Sequence, residues 1–243
     1  MSDDASYDVI LLRAGEAPDP YVEALSDIGL RADCRPVLRF TFPGRRALRS
    51  RLQHRERYEG IVATSPRVGR ALRRVFDEEG TLHAKWEGAP AYVVGPTTAE
   101  RLRALGFMVQ GGDTGDADAL VSLLTEAQPA RPLLFLSGNR RRETIPSGLR
   151  EAGLSFEEEV VYETHPRTDL TLPDGGGWLV FFSPSGLEAV RASDLEEGAD
   201  YRVAAIGPTT AAALRDAGVA VAAVADHPSP DALAAALERT DGA

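Results

Sequence analysis

Two kinds of residue in this chain stand where chemistry could be done. Small hydroxyl residues occupy four turns, each following a short apolar run and opening a helix-patterned stretch. These turns are Thr64-Ser65-Pro66, Gly95-Pro96-Thr97-Thr98, Ser183-Pro184-Ser185 and Gly207-Pro208-Thr209-Thr210. At such a turn the helix N-terminus presents unpaired N–H groups, glycine admits a ligand close to the backbone, and proline suits the first helical turn. Capping alone would explain any one of them, and Thr97 with Glu100 fits the capping-box pattern. Four equivalent turns favour ligand contact, with Thr64, Ser65, Ser183, Ser185, Thr209 and Thr210 as candidate donors. The second kind is the run Arg140-Arg141-Arg142 after the turn Ser137-Gly138-Asn139. Guanidinium forks suit carboxylates, although a solvated loop accounts for Arg140 and Arg141. Arg13, at the place equivalent to Ser137, either leans toward a ligand or caps a sheet.

The elements that must position these residues alternate. Apolar runs at Val9–Leu12, Gly60–Ala63, Ala91–Val94, Leu133–Leu136, Trp178–Phe182 and Val203–Ile206 read as buried parallel strands. Helical spacing follows each, as in Val68, Ala71, Leu72 and Val75 or Leu120, Leu123 and Leu124. Gly29, Gly106, Gly153 and Gly218 stand where a helix C′ residue belongs. Strand-helix alternation of this kind predicts α/β architecture with open, helix-covered parallel sheets.

The chain also repeats itself. Segment A, VILLRAGEAP…PVLRF (9–40), aligns without a gap with A′, LLFLSGNRRR…VVYET (133–164), at a constant offset of 124. Segment B, GIVATSPRVG…AYVVGPTTAERLRALG (60–106), recurs as B′, WLVFFSPSGL…VAAIGPTTAAALRDAG (178–218). The order A, B, A′, B′ allows two foldings. Either each half of the chain makes a domain, or the chain leaves domain one after A, builds domain two from B and A′, and returns for B′. Arg35–Phe40 and Val160–Thr164, extended and flanked by prolines, would then bridge the domains.

Composition bounds the function. A net charge of −10 disfavours nucleic acid and anionic membranes as partners. No apolar run reaches the roughly 20 residues needed to cross a bilayer, and MSDDASYD is unlike a signal peptide. A single cysteine, Cys34, fits a small buried or half-buried hydrophobe in a reducing cytoplasm. His54, His83, His165 and His227 lack ligand spacing, and Gly111-Gly112-Asp113 to Asp118 lacks the calcium-loop pattern. There is no G-x-G-x-x-G, phosphate loop, G-x-S-x-G or H-E-x-x-H. Of the 27 basic residues only Lys85 is lysine, so any anionic ligand must find a local arginine cluster.

In their order and spacing, LSGNRRRETIPSGLREAG (136–153), VVYET (160–164), FFSPSGLEAV (181–190) and AAIGPTTAAAL (204–214) resemble the uroporphyrinogen-III synthase family. The resemblance runs from ILLRA (10–14) to PSPDALAAAL (228–237), with Ser137 where many relatives carry arginine. It implies the second folding: residues 1–37 plus 168–243 as domain one and 38–167 as domain two. Both would be similar parallel-sheet domains, joined by a two-stranded connector hinged near 36–41 and 162–168, with a cleft between them. It implies a linear tetrapyrrole with eight carboxylates as substrate, and no cofactor or metal.

The same resemblance implies roles. Arg142 matches the family's arginine, and Gly138 and Asn139 its substrate-binding turn. Tyr162 matches a phenol able to protonate a departing hydroxyl, although an aromatic packed across a ribbon would look alike. Hydroxymethylbilane would lose water, close through a spiro intermediate and invert its terminal ring. Because the substrate closes unaided without inversion, the enzyme would chiefly control conformation. A monomer is expected, with at most transient contact with the preceding deaminase. The alternative is a non-catalytic two-lobed binding protein for a small anionic ligand.

Overall fold

Buried apolar runs become the central strands, and the stretches between them become helices with one apolar face. A computed structural model describes residues 7–172, 176–193 and 201–242. Chain order begins with β1 (Val9–Leu12), α1 (Pro20–Asp27), β2 (Ala32–Cys34), β3 (Leu38–Thr41) and α2 (Arg45–Gln53). Next come β4 (Ile61–Ala63), α3 (Pro66–Glu78), α4 (Gly80–Trp86), β5 (Pro90–Val93), α5 (Pro96–Arg103), β6 (Met108–Gln110) and α6 (Ala117–Ala127). Then follow β7 (Leu133–Gly138), α7 (Thr144–Glu151), β8 (Phe156–Pro166), β9 (Gly177–Phe181) and α8 (Ser185–Ala192). The chain finishes with β10 (Tyr201–Ala205), α9 (Pro208–Asp216), β11 (Ala223–Val224) and α10 (Pro230–Asp241).

These elements form two compact units, Met1–Arg39 with His165–Ala243 and Phe40–Thr164. The first holds a parallel sheet in the order β11-β10-β9-β1-β2. The six-stranded sheet reads β3-β8-β7-β4-β5-β6, and β4 to β8 pair in parallel. The chain passes between units on the neighbouring strands β3 and β8. Alternation splits each strand between two cores. In the second unit Ile61, Ala63, Leu134 and Leu136 join Val68, Leu72, Trp86 and Leu102. Val62, Leu133 and Phe135 turn the other way, onto Leu120, Leu124, Ile145 and Leu149.

Segment A pairs with B′ and segment B with A′, and the duplication extends to strand register. Val9 is opposite Ala32 and Leu11 opposite Cys34, while Leu133 is opposite Phe156 and Phe135 opposite Glu158. Leu179 faces Ile10 and Val203, as Ile61 faces Leu134 and Ala91. The helix-ending glycines Gly29, Gly106, Gly153 and Gly218 have φ of +81°, +82°, +69° and +82°, a conformation costly to residues with a Cβ.

Several elements differ from expectation. The strand expected at Val160–Thr164 starts at Phe156, because the acidic run before it is neutralised. Glu157 accepts from Arg57 at 2.7 Å and from the Tyr58 hydroxyl at 2.8 Å, and Glu159 from Arg51 at 3.3 Å. The Arg35–Phe40 segment yields β3 at Leu38–Thr41. Helices α2 and α4 and the short strands β2, β6 and β11 add to the elements read from the sequence. The capping box at Thr97 and Glu100 does not form: Gly95 is the N-cap of α5, which makes no side-chain cap bond.

Candidate functional site

Three parallel strands of the second unit deliver side chains to one pocket. β4 ends in Thr64 and Ser65, which lead into α3; β7 ends at Gly138, ahead of the arginine run; β8 carries Tyr162. Ligands of open α/β sheets bind beyond such carboxyl ends. The pocket measures about 510 Å3, and its lining includes Thr64, Ser65, Arg67, Arg140, Arg142 and Tyr162. Ser65 caps α3, its hydroxyl accepting from the Arg67 N–H at 3.3 Å. Asp116 and Asp118 also line the pocket, and Asp116 caps α6, accepting from the Ala119 N–H at 2.9 Å.

Tyr162 owes its place to a break in register. Ser137 is opposite Val160 but Gly138 is opposite Tyr162, so β8 bulges there by one residue. A bulge of this kind re-aims a side chain. The phenol lies directly against Gly138, where an added Cβ would come within 2.6 Å of its hydroxyl oxygen. Asn139 then fastens β8. Its side-chain oxygen accepts from the Thr164 N–H at 2.8 Å and its side-chain N–H donates to the Thr164 carbonyl at 3.4 Å. Gly138 and Asn139 thus support the phenol and do not line the pocket.

The arginines divide by partner. Arg141 is taken up structurally: it donates to Glu158 at 2.9 Å and also to Glu143. The same Glu158 accepts from the buried Ser137 hydroxyl at 2.7 Å. Arg141 beside Glu158 holds that carboxyl below the usual carboxylate range. Arg142 is exposed and makes no ion pair among the described residues.

Arg67, absent from the residues the sequence singled out, is the most exacting cation of the site. Its guanidinium lies 3.6 Å from the Phe40 ring centroid and 6.0 Å from that of Tyr162. Burial pushes its proton affinity down, and no carboxylate pairs with it among the described residues. A signal was present in the sequence. A cation in the first turn opposes the helix dipole, and the equivalent residue of B′ is Ser185.

The remaining candidates belong to the first unit. Arg13 sits 3.2 Å from Asp19, with the Tyr21 and Phe182 ring centroids at 5.0 and 5.2 Å. Ser183 and Ser185 hydroxyls hydrogen-bond to each other at 2.6 Å. Thr209 is exposed and Thr210 buried in the first turn of α9, and neither caps it, since the N-cap is Gly207. Cys34 is half-buried, its thiol 3.8 Å from Asp19 and its pKa pushed up by burial to about 11. That makes it a poor nucleophile.

The family described as uroporphyrinogen-III synthase HemD matches the chain over residues 19–235. A uroporphyrinogen-III synthase of Schizosaccharomyces pombe is 30% identical over 249 residues, covering 96% of each chain. One from Saccharomyces cerevisiae is 34% identical over 214 residues, covering 73% of this chain and 74% of its own. The crystal structure of uroporphyrinogen-III synthetase from Helicobacter pylori superposes with a TM-score of 0.61 at 19% identity. It covers 96% of this chain and 100% of the other, a likeness of fold.

Proposed function

We propose that this chain, which belongs to the uroporphyrinogen-III synthase family, closes a linear hydroxymethylbilane with loss of water and inversion of its terminal ring. The observation that carries the reading is the meeting, in one pocket, of the Tyr162 phenol with the guanidinium groups of Arg67 and Arg142, neither of which has an ion-pair partner among the described residues. The two guanidinium groups bind substrate carboxylates bidentately. Tyr162 donates a proton to the departing hydroxyl, which leaves as water while the adjacent pyrrole nitrogen supplies the electron pair, leaving an azafulvene cation. The substituted carbon of the terminal pyrrole attacks that cation to give a spiro intermediate. Fragmentation and reclosure attach the ring inverted, and loss of a proton restores its aromaticity.

Phenols are weak acids, and general acid catalysis by one contributes only part of a rate enhancement. Most of the acceleration toward the inverted isomer therefore comes from holding the reacting carbons in productive geometry. Thr64 and Ser65 contribute hydroxyls and the free N–H groups of the α3 N-terminus. In the first unit, Ser183, Ser185, Thr209 and Thr210 serve as hydroxyl donors. Arg13 has a supporting place, since Asp19 already holds its charge.

Every relative named above is a synthase, and the alternative of a non-catalytic binding protein is set aside. No helix among the described residues is long and apolar enough to cross a membrane. On this reading the chain works as a cytoplasmic monomer, meeting the preceding deaminase only transiently. Sedimentation at a mass well above 26.1 kDa would contradict the monomer. The deciding assay supplies porphobilinogen and its deaminase, adds this protein, oxidises, and separates the porphyrin isomers. Predominance of type III is expected; type I alone would sink the reading.

A further inference from the structure

Beside the pocket, α3 and α5 of the second unit enclose a groove of about 270 Å3 lined by Gly69, Arg70, Arg73, Arg101 and Ala104. The two helices meet closely at Gly69, where an added Cβ would stand 3.0 Å from the Arg101 Cβ. Arginines of both helices therefore share one wall-to-wall space. We infer that this groove is an anion subsite that takes a carboxylate arm of the polycarboxylate held in the Tyr162 pocket. The inference rests on the function proposed above and extends its site along α3.

Three observations carry it. First, no described residue pairs with Arg70, Arg73 or Arg101, although Asp77 and Glu100 lie on the same two helices. Like charges three residues apart on a helix repel weakly, so a bound anion among these arginines would relieve that repulsion. Second, the fold does not require Arg70 or Arg101. B′ repeats the strand registers of B, yet it carries Glu188 for Arg70 and Ala213 for Arg101, keeping an arginine only at Arg191 for Arg73. Third, pocket and groove share helix α3. Arg67 lines the pocket one helical turn before Arg70, about 4.5 Å along the axis, and Arg73 follows about 4.5 Å further. Arg70 and Arg101 are close enough to add to the lowering of Arg67's proton affinity. The charge distribution agrees: residues 40–164 hold 18 basic and 17 acidic residues, the rest of the chain 9 and 20.

The test compares the full chain with the triple variant Arg70→Gln, Arg73→Gln, Arg101→Gln. A control carries Arg46→Gln, Lys85→Gln and Arg131→Gln, the same charge loss elsewhere in the unit. KM for hydroxymethylbilane should rise about tenfold in the groove variant and less than twofold in the control. Selectivity for type III should remain and Tm should not fall. Binding is measured separately, by tryptophan fluorescence, with uroporphyrin (eight carboxylates) and coproporphyrin (four). The parent should prefer uroporphyrin, and the groove variant should lose most of that preference. Unchanged KM and an unchanged preference would overturn the subsite, leaving the arginines as ordinary surface charge. Should the parent form only type I yet lose its uroporphyrin preference in the groove variant, the subsite stands and the proposed reaction falls.

Discussion

Gly138→Ala adds one carbon where the site has no room for it. The new Cβ would stand 2.3 Å from Tyr162 Cζ and 2.5 Å from Cε2, against ordinary carbon contacts of about 3.5 Å or more. The ring must yield by roughly 1 Å, because Gly138 is buried in β7, a strand bounded by β4 and β8. Overpacking of this kind costs about 1–3 kcal/mol, lowering Tm by about 2–12 °C in a chain of this size. If the displaced phenol is the proton donor, kcat should also fall about 10–100-fold, toward the lower end of general-acid effects. Melts and coupled-assay kinetics of Gly138→Ala, Tyr162→Ala and the double variant separate the two effects. With the ring gone the methyl group has space, so Gly138→Ala should then cost less than about 0.5 kcal/mol, a coupling of about 0.5–3 kcal/mol. A penalty that persists without the ring, or a Gly138→Ala protein as stable and active as the parent, would refute the reasoning.

Tyr162→Phe keeps the ring and removes the proton, so kcat should fall about 10–100-fold with Tm unchanged; full activity with full isomer selectivity would end the general-acid role. Arg142→Ala and Arg67→Ala should each raise KM more than they lower kcat, with the half-buried Arg67 the larger effect, read from initial rates over a range of substrate concentrations. Glu158 has its folded-state pKa lowered, chiefly by the hydrogen bond from Arg141. Its contribution to stability is therefore complete above the unfolded carboxylate value of about 4.3 and lost as pH falls through the lower folded value. Glu158→Gln should lower Tm above about pH 5 and match the parent at strongly acid pH; a deficit that grows as pH drops would contradict this.

What was legible in the chain followed from periodicity and repetition. Buried runs such as Leu133–Leu136 announce strands because every residue is apolar, and the offset of 124 between A and A′ reappears as identical strand register. What stayed hidden depends on partners distant in sequence. The Glu157–Glu159 run gives no strand signal by itself, since it needs Arg51, Arg57 and Arg141 to become part of β8. Helix α2 shows only Leu48 and Leu52 as buried apolar residues, too few for a periodic pattern. Tyr162 and Arg142 were visible by resemblance. Arg67 offered only the signal of a cation in a first helical turn; its place against the Phe40 and Tyr162 rings, with no carboxylate partner among the described residues, is not encoded by spacing.

The duplication separates what the fold needs from what the site needs. Equivalent strands keep their register in both units, so residues that differ between copies at equivalent places answer to something other than strand pairing. Tyr162 corresponds to Leu38, Arg67 to Ser185, Arg142 to Pro18 and Gly138 to Ala14. The substitutions are mutually consistent: where the copy carries leucine in place of tyrosine, alanine is tolerated at the position that must otherwise be glycine. A phenol laid over a bare backbone carbon and flanked by arginines is thus a feature of the second unit alone. The first unit repeats the scaffold but has no arginine at those equivalent positions, and its Arg13, equivalent to Ser137, is committed to Asp19 and two aromatic rings. Duplication supplied two sets of strand ends and helix N-termini, and divergence put the phenol and the unpaired cations on one of them.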